Sequence, residues 1–350
     1  MNPLLGVYSL ASRAVCRLKA ARVQAGFVKQ RRPPLPVVSV GNLTLGGSEK
    51  TPLVMELLAR IPGYGLRPAL VTRGYRGEWE RAGGVVSDGK ALFGDWKEAG
   101  DEPFMAARRF PQAGVFVGKD RYRSCLRAEE LGFDVAILDD GFQHIRLSRN
   151  MDIVLHDPGG PRVPLREGIP ALKRADILLL KKNGDPDFRR KWDRKFPSLE
   201  IFDYRVVLKE IRSLDSGEII SPAALGGKKL LAFCGIARPE RFFALLEESG
   251  ITPKSRRVFP DHFFYPPRAL AGIAASCRTD EIEALITTEK DGVKLLGRSS
   301  LLSPGRVYIL AMGLEIPEAF FDRVAEALGL AGQARDSGTN ELANLPGGLR

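Results

Sequence analysis

Lys50 and Thr51 close the stretch Thr44-Leu45-Gly46-Gly47-Ser48-Glu49-Lys50-Thr51, which follows the apolar run Val37-Val38-Ser39-Val40 and precedes an apolar-periodic segment. An apolar strand, a glycine-rich turn and a Lys-Thr pair opening a helix are the layout of a phosphate-binding loop. Backbone N–H groups in such a loop cradle phosphates, the lysine reaches the β/γ oxygens, and the hydroxyl ligates Mg²⁺. The general pattern has glycine where this chain has Thr44 and Glu49, so the stretch alone leaves an ordinary strand-to-helix turn open. A second run, Asp134-Val135-Ala136-Ile137-Leu138-Asp139-Asp140-Gly141-Phe142-Gln143-His144, stops an apolar strand at two carboxylates. Acidic residues delivered at the C-terminal edge of a buried parallel strand are what a Mg²⁺-nucleotide site needs beside its loop. In isolation, Asp139 and Asp140 would serve as well to cap a turn before Gly141.

Phosphoryl transfer asks a protein for positioning groups, cations and a group to orient or deprotonate the acceptor. Gly100-Asp101-Glu102-Pro103 sets two carboxylates ahead of a helical segment, where Asp101 could also be an N-cap with Pro103 in the first turn. His262 lies in Phe259-Pro260-Asp261-His262-Phe263-Phe264, either as a satisfied structural group or as a hydrogen-bonding partner of a carboxylate base. Arg73-Gly74-Tyr75, Lys119-Asp120-Arg121 and Pro164-Leu165-Arg166-Glu167 supply cations near the same edge, although charged loop residues are commonly just solvated.

These islands need a scaffold, and the chain between them alternates strand and helix patterns. Strand-like runs fall at Pro36 to Val40, Ala69 to Thr72, Gly114 to Val117, Val135 to Leu138, Ile153 to Leu155 and Ile177 to Leu180; helical patterns fall at 52–61, 103–110 and 120–131. Alternation at this spacing predicts βαβ units, hence an α/β fold with a mostly parallel sheet. Phe202 to Leu208 and Gly217 to Ile220 flank Asp215-Ser216-Gly217 and read as a β-hairpin joining two domains. A second α/β set follows, with strands at Leu230 to Cys234, Ser255 to Phe259, Glu283 to Thr287 and Val307 to Leu310, and helices at 239–249, 266–277 and 316–328. The expected organisation is an N-terminal helix over 1–30, a larger domain over 31–202, a hairpin linker over 203–225, a smaller α/β domain over 226–330 and a disordered tail over 331–350.

The chain has 350 residues, 44% hydrophobic and 27% charged, enough for about two cores, and its net charge of +11 favours anionic partners. No nucleic-acid signature accompanies that charge, and no obligate protein partner is inferred. Four cysteines without a C-x-x-C pair point to reduced thiols, with neither zinc nor disulfides indicated. No run reaches the about 18 apolar residues of a spanning helix. Leu4, Leu5, Val7, Tyr8, Leu10, Val15 and Leu18 are interleaved with Arg13, Arg17, Lys19 and Arg22, with the charge following the apolar stretch, unlike a cleavable signal peptide. The pattern fits an interfacial helix on an anionic membrane, or a helix packed on its own domain.

Together these islands resemble the tetraacyldisaccharide 4′-kinase family of lipid A biosynthesis. The likeness rests, in order, on Val40-Gly41-Asn42, Gly46-Gly47-Ser48, Lys50-Thr51-Pro52, Thr72 to Tyr75, Gly100 to Pro103, Gly118 to Arg121, Asp139 to His144, Pro164 to Glu167, Phe259 to His262 and Thr288-Glu289-Lys290-Asp291. The resemblance implies a two-domain kinase: a P-loop NTPase-like parallel sheet domain with a second, smaller α/β domain. It implies ATP and Mg²⁺ as cofactors, an anionic glycolipid as substrate, and a peripheral place on the cytoplasmic face of the inner membrane. Carried over by position, Thr44 to Thr51 bind ATP; Thr51, Asp139 and Asp140 manage Mg²⁺; Asp101, assisted by His262, is the base; Tyr75, Arg121, Gln143, His144, Arg166 and Glu167 line the substrate site. The family carries glycine where this chain has Glu49. A carboxylate and a Cβ beside phosphates predict reduced nucleotide affinity or turnover. Two alternatives stand beside this reading: a P-loop kinase or ATPase acting on another anionic substrate, and a non-catalytic nucleotide-binding relative disabled at Glu49.

Overall fold

A computed structural model describes residues 3–44, 49–157, 165–182, 186–302 and 305–330. The chain forms two compact units: unit 1 takes the chain up to Val206 and again from Leu314, and unit 2 takes Val207–Gly313.

Unit 1 opens with α1 (Pro3–Gln24), β1 (Val37–Asn42), α2 (Lys50–Arg60) and β2 (Pro68–Thr72). Two single-turn helices, α3 (Trp79–Ala82) and α4 (Trp96–Ala99), flank β3 (Gly84–Asp88) and lead into α5 (Asp101–Arg109). Then come β4 (Gly114–Val117), α6 (Arg121–Glu130), β5 (Val135–Asp139), β6 (Met151–His156), β7 (Ile177–Lys181), α7 (Pro186–Lys195) and the long β8 (Glu200–Ser213). The strand order is β8-β7-β6-β1-β5-β2-β4-β3, parallel except for β3. Every residue of β1, β2, β4 and β5 is buried. That explains their near-continuous apolar sequences, because parallel strands covered on both faces lose the alternation of a half-exposed sheet.

Register places the chemistry on one edge. Val40 pairs with Asp139 and Val71 with Leu138, so β1, β5 and β2 end side by side, at Asn42, Asp139 and Thr72. Gly41 is required there: a Cβ on it would lie 2.4 Å from Phe142 Cβ, and the segment after β5 could not cross β1 so closely. α2 then buries Leu53, Val54, Met55, Leu57 and Leu58, an i, i+4 stripe that holds Lys50 and Thr51 at its first turn.

β8 carries the chain into unit 2, where its far end pairs with β9 (Ile219–Ile220) in a hairpin, Ile211 opposite Ile220. There follow β10 (Leu230–Cys234), α8 (Pro239–Glu248), β11 (Ser255–Val258), α9 (Pro267–Thr279), β12 (Ala284–Thr288), α10 (Glu289–Gly292) and β13 (Arg306–Glu315). β11-β10-β12-β13 form a parallel sheet over a core that includes Phe233, Tyr265, Leu270, Ile273 and Leu285.

The boundary expected at residue 330 moves. β13 returns the chain to unit 1, and α11 (Glu318–Ala327) packs there, Phe320 edge-on to Phe202 at 5.9 Å. An amphipathic helix packs wherever its apolar face finds cover, and periodicity names the face without naming the partner. The four cysteines are free thiols, three of them buried. Among the described residues no helix is long and apolar enough to cross a membrane. α1 ends at Gln24 rather than at residue 30; Val15 and Leu18 are exposed, while Ser12 Oγ donates to the Arg166 carbonyl at 3.3 Å. The tail expected to be disordered, 331–350, lies outside the described residues.

Candidate active site

Lys50 is the hub. Its ammonium lies 3.2 Å from Asn42 Oδ1, at the end of β1, and 3.2 Å from Asp140 Oδ1, just past β5. Asp140 adopts φ +56°, a left-handed conformation uncommon for a residue with a Cβ, and is also held by Arg166 at 2.5 Å. Burial works against its charge, but Lys50 and Arg166 outweigh it and hold the carboxyl well below the usual range.

Asp139 behaves in the opposite way. Burial, then the charges of Glu102 and Asp140, push its carboxyl up to about 7 against the pull of Lys50. Its Oδ2 accepts from Thr72 Oγ1 at 3.3 Å, while buried Oδ1 has no hydrogen-bond partner among the described residues. A buried carboxylate oxygen without a donor is expensive, and a divalent cation would satisfy it. The acidic pair therefore fits Mg²⁺.

The loop of Arg166 and Glu167 is tied back to β1. Arg166 N–H donates to the Leu43 carbonyl at 2.7 Å, and Thr44 pairs with Leu165 as an antiparallel bridge. Glu167 is buried and bound by Arg174 Nη2 at 2.9 Å to each oxygen, with Gln143 Nε2 at 3.3 Å. Gln143 also donates to the Asn42 carbonyl at 2.9 Å. Arg121 is buried and donates to the Gly118 and Lys119 carbonyls; burial lowers its guanidinium from the usual range, and the charges of Asp139 and Asp140 oppose that shift. His144 is held down to about 4 by burial and by Arg121 and Arg149, so its imidazole is neutral at pH 7.

Asp101 is the first residue of α5, and the N-cap is Gly100, at φ +93°. Asp101 is thus released from the capping role its position allowed. It is buried, and its Oδ1 accepts from Glu102 N–H at 3.0 Å. A Cβ on Gly100 would lie 3.2 Å from the Tyr75 carbonyl, so the exposed Tyr75 loop runs against the start of α5. The structure thus joins Lys50, Asp140, Arg166, Gln143 and Glu167 in one bonded network, with Asp139 inside it and Arg121 coupled to it electrostatically. His262 belongs to unit 2, and Leu45, Gly46, Gly47 and Ser48 lie outside the described residues.

Several members had no distinct signal in the sequence. Asn42 closes the Val40-Gly41-Asn42 motif without a role assigned to it there, and Arg174 pairs with Glu167 through a 3₁₀ turn, Ile169–Arg174, that no motif announces. Lys181 is the third.

Lys181 bears on Glu49. Glu49 is the N-cap of α2 at φ +48°, and only 6% of its side chain is exposed. Its carboxylate meets Lys181 Nζ at 3.6 Å and accepts from Tyr204 Oη at 3.3 Å. The charge expected to repel phosphate is answered within the fold, and holding a Cβ in the left-handed region costs about 1 kcal/mol. Glu49→Gly is accordingly expected to change kcat and KM for ATP by less than about fivefold. Initial rates over an ATP titration check this, and a gain of a hundredfold would restore the reading of a disabled loop.

A lysine opening the helix after β1, beside an acidic pair ending the adjacent parallel strand, defines a P-loop kinase. A profile described as tetraacyldisaccharide-1-P 4′-kinase matches residues 1–329. The tetraacyldisaccharide 4′-kinase of Geobacter metallireducens is 38% identical over 328 residues, spanning 90% of this chain and 95% of that protein. That of Syntrophus aciditrophicus is 35% identical over 348 residues, 93% and 92% of the two chains. The crystal structure of LpxK from Aquifex aeolicus in complex with ATP superposes with a TM-score of 0.72 at 28% identity, covering 93% of this chain and 99% of that one. The chain belongs to the tetraacyldisaccharide 4′-kinase family.

Proposed function

We propose that this protein transfers the γ-phosphate of ATP to the 4′-hydroxyl of a tetraacyldisaccharide 1-phosphate, forming lipid IVA at the cytoplasmic face of the inner membrane. The observation that carries the reading is the pairing of Lys50 with Asp140 beside Asp139, whose Oδ1 has no hydrogen-bond partner among the described residues. Thr44 through Thr51 bind the nucleotide. Lys50 neutralises charge on the β- and γ-oxygens, and Asn42 and Asp140 aim its ammonium. Thr51, Asp139 and Asp140 would hold Mg²⁺, which would supply positive charge against the charge developing on the transferred phosphoryl group. Asp139 would offer the ion its Oδ1, while Asp140 is engaged by Lys50 and Arg166.

Asp101 takes the proton of the attacking hydroxyl, and His262 assists as a hydrogen-bond donor. Tyr75, Gln143, His144 and Arg166 contact the phosphorylated sugar, while Arg121 and Glu167 support them from beneath. Exposed apolar residues of α1 and its basic side chains suit a substrate taken from an anionic membrane surface.

The test is transfer of labelled γ-phosphate from Mg-ATP to the disaccharide 1-phosphate in detergent micelles. Product is expected, with kcat reduced about 10²-fold by Asp101→Ala and KM for ATP little changed. ATP hydrolysis without product would assign the site to another acceptor, and a wild-type rate in Asp101→Ala would remove the base.

A further inference from the structure

The Thr288-Glu289-Lys290-Asp291 segment is given no part in the phosphate or metal chemistry above, yet it is tied down by several buried hydrogen bonds. Thr288 caps α10 by accepting from Asp291 N–H at 3.1 Å. Asp291 is fully buried; its Oδ2 accepts from Gly235 N–H at 2.9 Å and Thr288 Oγ1 at 2.8 Å, and its Oδ1 meets the Nζ of buried Lys294 at 3.4 Å. α10 is thereby bound to the end of β10, on the C-terminal edge of the parallel sheet, where α/β sheets place ligands. The same edge carries His262. Its backbone N–H donates to the Gly235 carbonyl at 3.1 Å, and its φ of +62° persists because neighbours determine the turn, Phe259 stacking on Phe263 at 4.8 Å.

Lys290 joins the two elements, its Nζ 3.2 Å from His262 Nε2 and 3.4 Å from Asp261 Oδ1. An ammonium has three donors and no lone pair, so the ring nitrogen facing it must accept. Asp261 Oδ2 would favour a proton on that nitrogen, but at 3.7 Å it is beyond hydrogen-bond range and the lysine contact prevails.

We propose that Lys290 is a positioning residue for the transfer reaction: by donating to His262 Nε2 it fixes the neutral ring with its proton on Nδ1, the nitrogen that serves as donor. This rests on the role proposed above for His262. Glu289 and Asp291 bracket Lys290 on the short helix; Asp291 serves as the anchor and Lys290 as the orienting arm.

The chain has three histidines, so ¹⁵N spectra of the histidine-labelled full chain resolve each ring, with His262→Gln assigning the signal of interest. Wild type should show the Nδ1-protonated pattern at His262. Lys290→Met should lose it and lower kcat about tenfold at unchanged KM for ATP, whereas Lys290→Gln, which keeps an N–H donor, should retain both. Adding Lys290→Met to His262→Gln should lower kcat no further. An unchanged His262 tautomer in Lys290→Met, or additive losses, would overturn the proposal; if Lys290→Met does not fold, loss of the pattern in Lys290→Gln would do the same. A wild-type kcat in His262→Gln would instead sink the role given to His262, and the spectra would still decide the Lys290 contact.

Discussion

Lys50→Met is expected to lower kcat/KM for Mg-ATP by about 10³-fold, or about 4 kcal/mol of transition-state stabilisation. Three observations set that size. The Lys50 side chain is only 14% exposed, so its charge acts through a medium that screens poorly. Asn42 and Asp140 both lie at 3.2 Å, so the ammonium is already oriented and no other described lysine occupies that place. In the proposed reaction the charge it would meet is that of a transferring phosphoryl group, for which cationic clamps are the main catalytic device. The variant should still fold, since Asp140 keeps Arg166 at 2.5 Å. Initial rates and a melting curve check both halves. A rate within tenfold of wild type would show that another cation carries the phosphates.

Asp139→Asn should produce a loss of similar size by a different route, lowering kcat about 10³-fold at saturating Mg-ATP while leaving the fold intact. Without a cation, burial and Glu102 already push the carboxyl up to about 7, so an uncharged amide of the same shape is tolerated, and its oxygen can still accept from Thr72. What the amide would remove is the charged oxygen that the proposed mechanism offers to Mg²⁺. Asp140→Asn differs, because it breaks ion pairs to both Lys50 and Arg166 and should lower the melting temperature as well. Comparing kcat and melting temperature for the two variants separates ligand from brace. Equal thermal losses would contradict the division of roles.

The chemistry was legible in the chain to the extent that it is local. Lys50 and Thr51 follow an apolar strand and open an apolar-striped helix, and Asp139 and Asp140 end another strand; period and punctuation show both without coordinates. Alternating patterns over the first two hundred residues likewise called for a parallel sheet, because strands buried on both faces must be apolar throughout. What no local pattern contains is which elements become neighbours. That β1 lies beside β5, bringing Lys50 to Asp140, is a matter of sheet order.

The same holds for the side chains that hold the site in shape. Arg174 reaches Glu167 around a 3₁₀ turn, and Lys290 reaches His262 from α10, a separate element at the sheet edge. Glu49 shows the division best. From sequence it is a repulsive charge at a position suited to glycine. In the fold, Lys181 from β7 and Tyr204 from β8 turn it inward as a paired group. Residue identity and spacing decide which chemistry the chain can perform, since they set charge, donor count and backbone freedom. The sign of an electrostatic effect depends on which charges lie within a few ångströms, and only the packing of distant segments settles that.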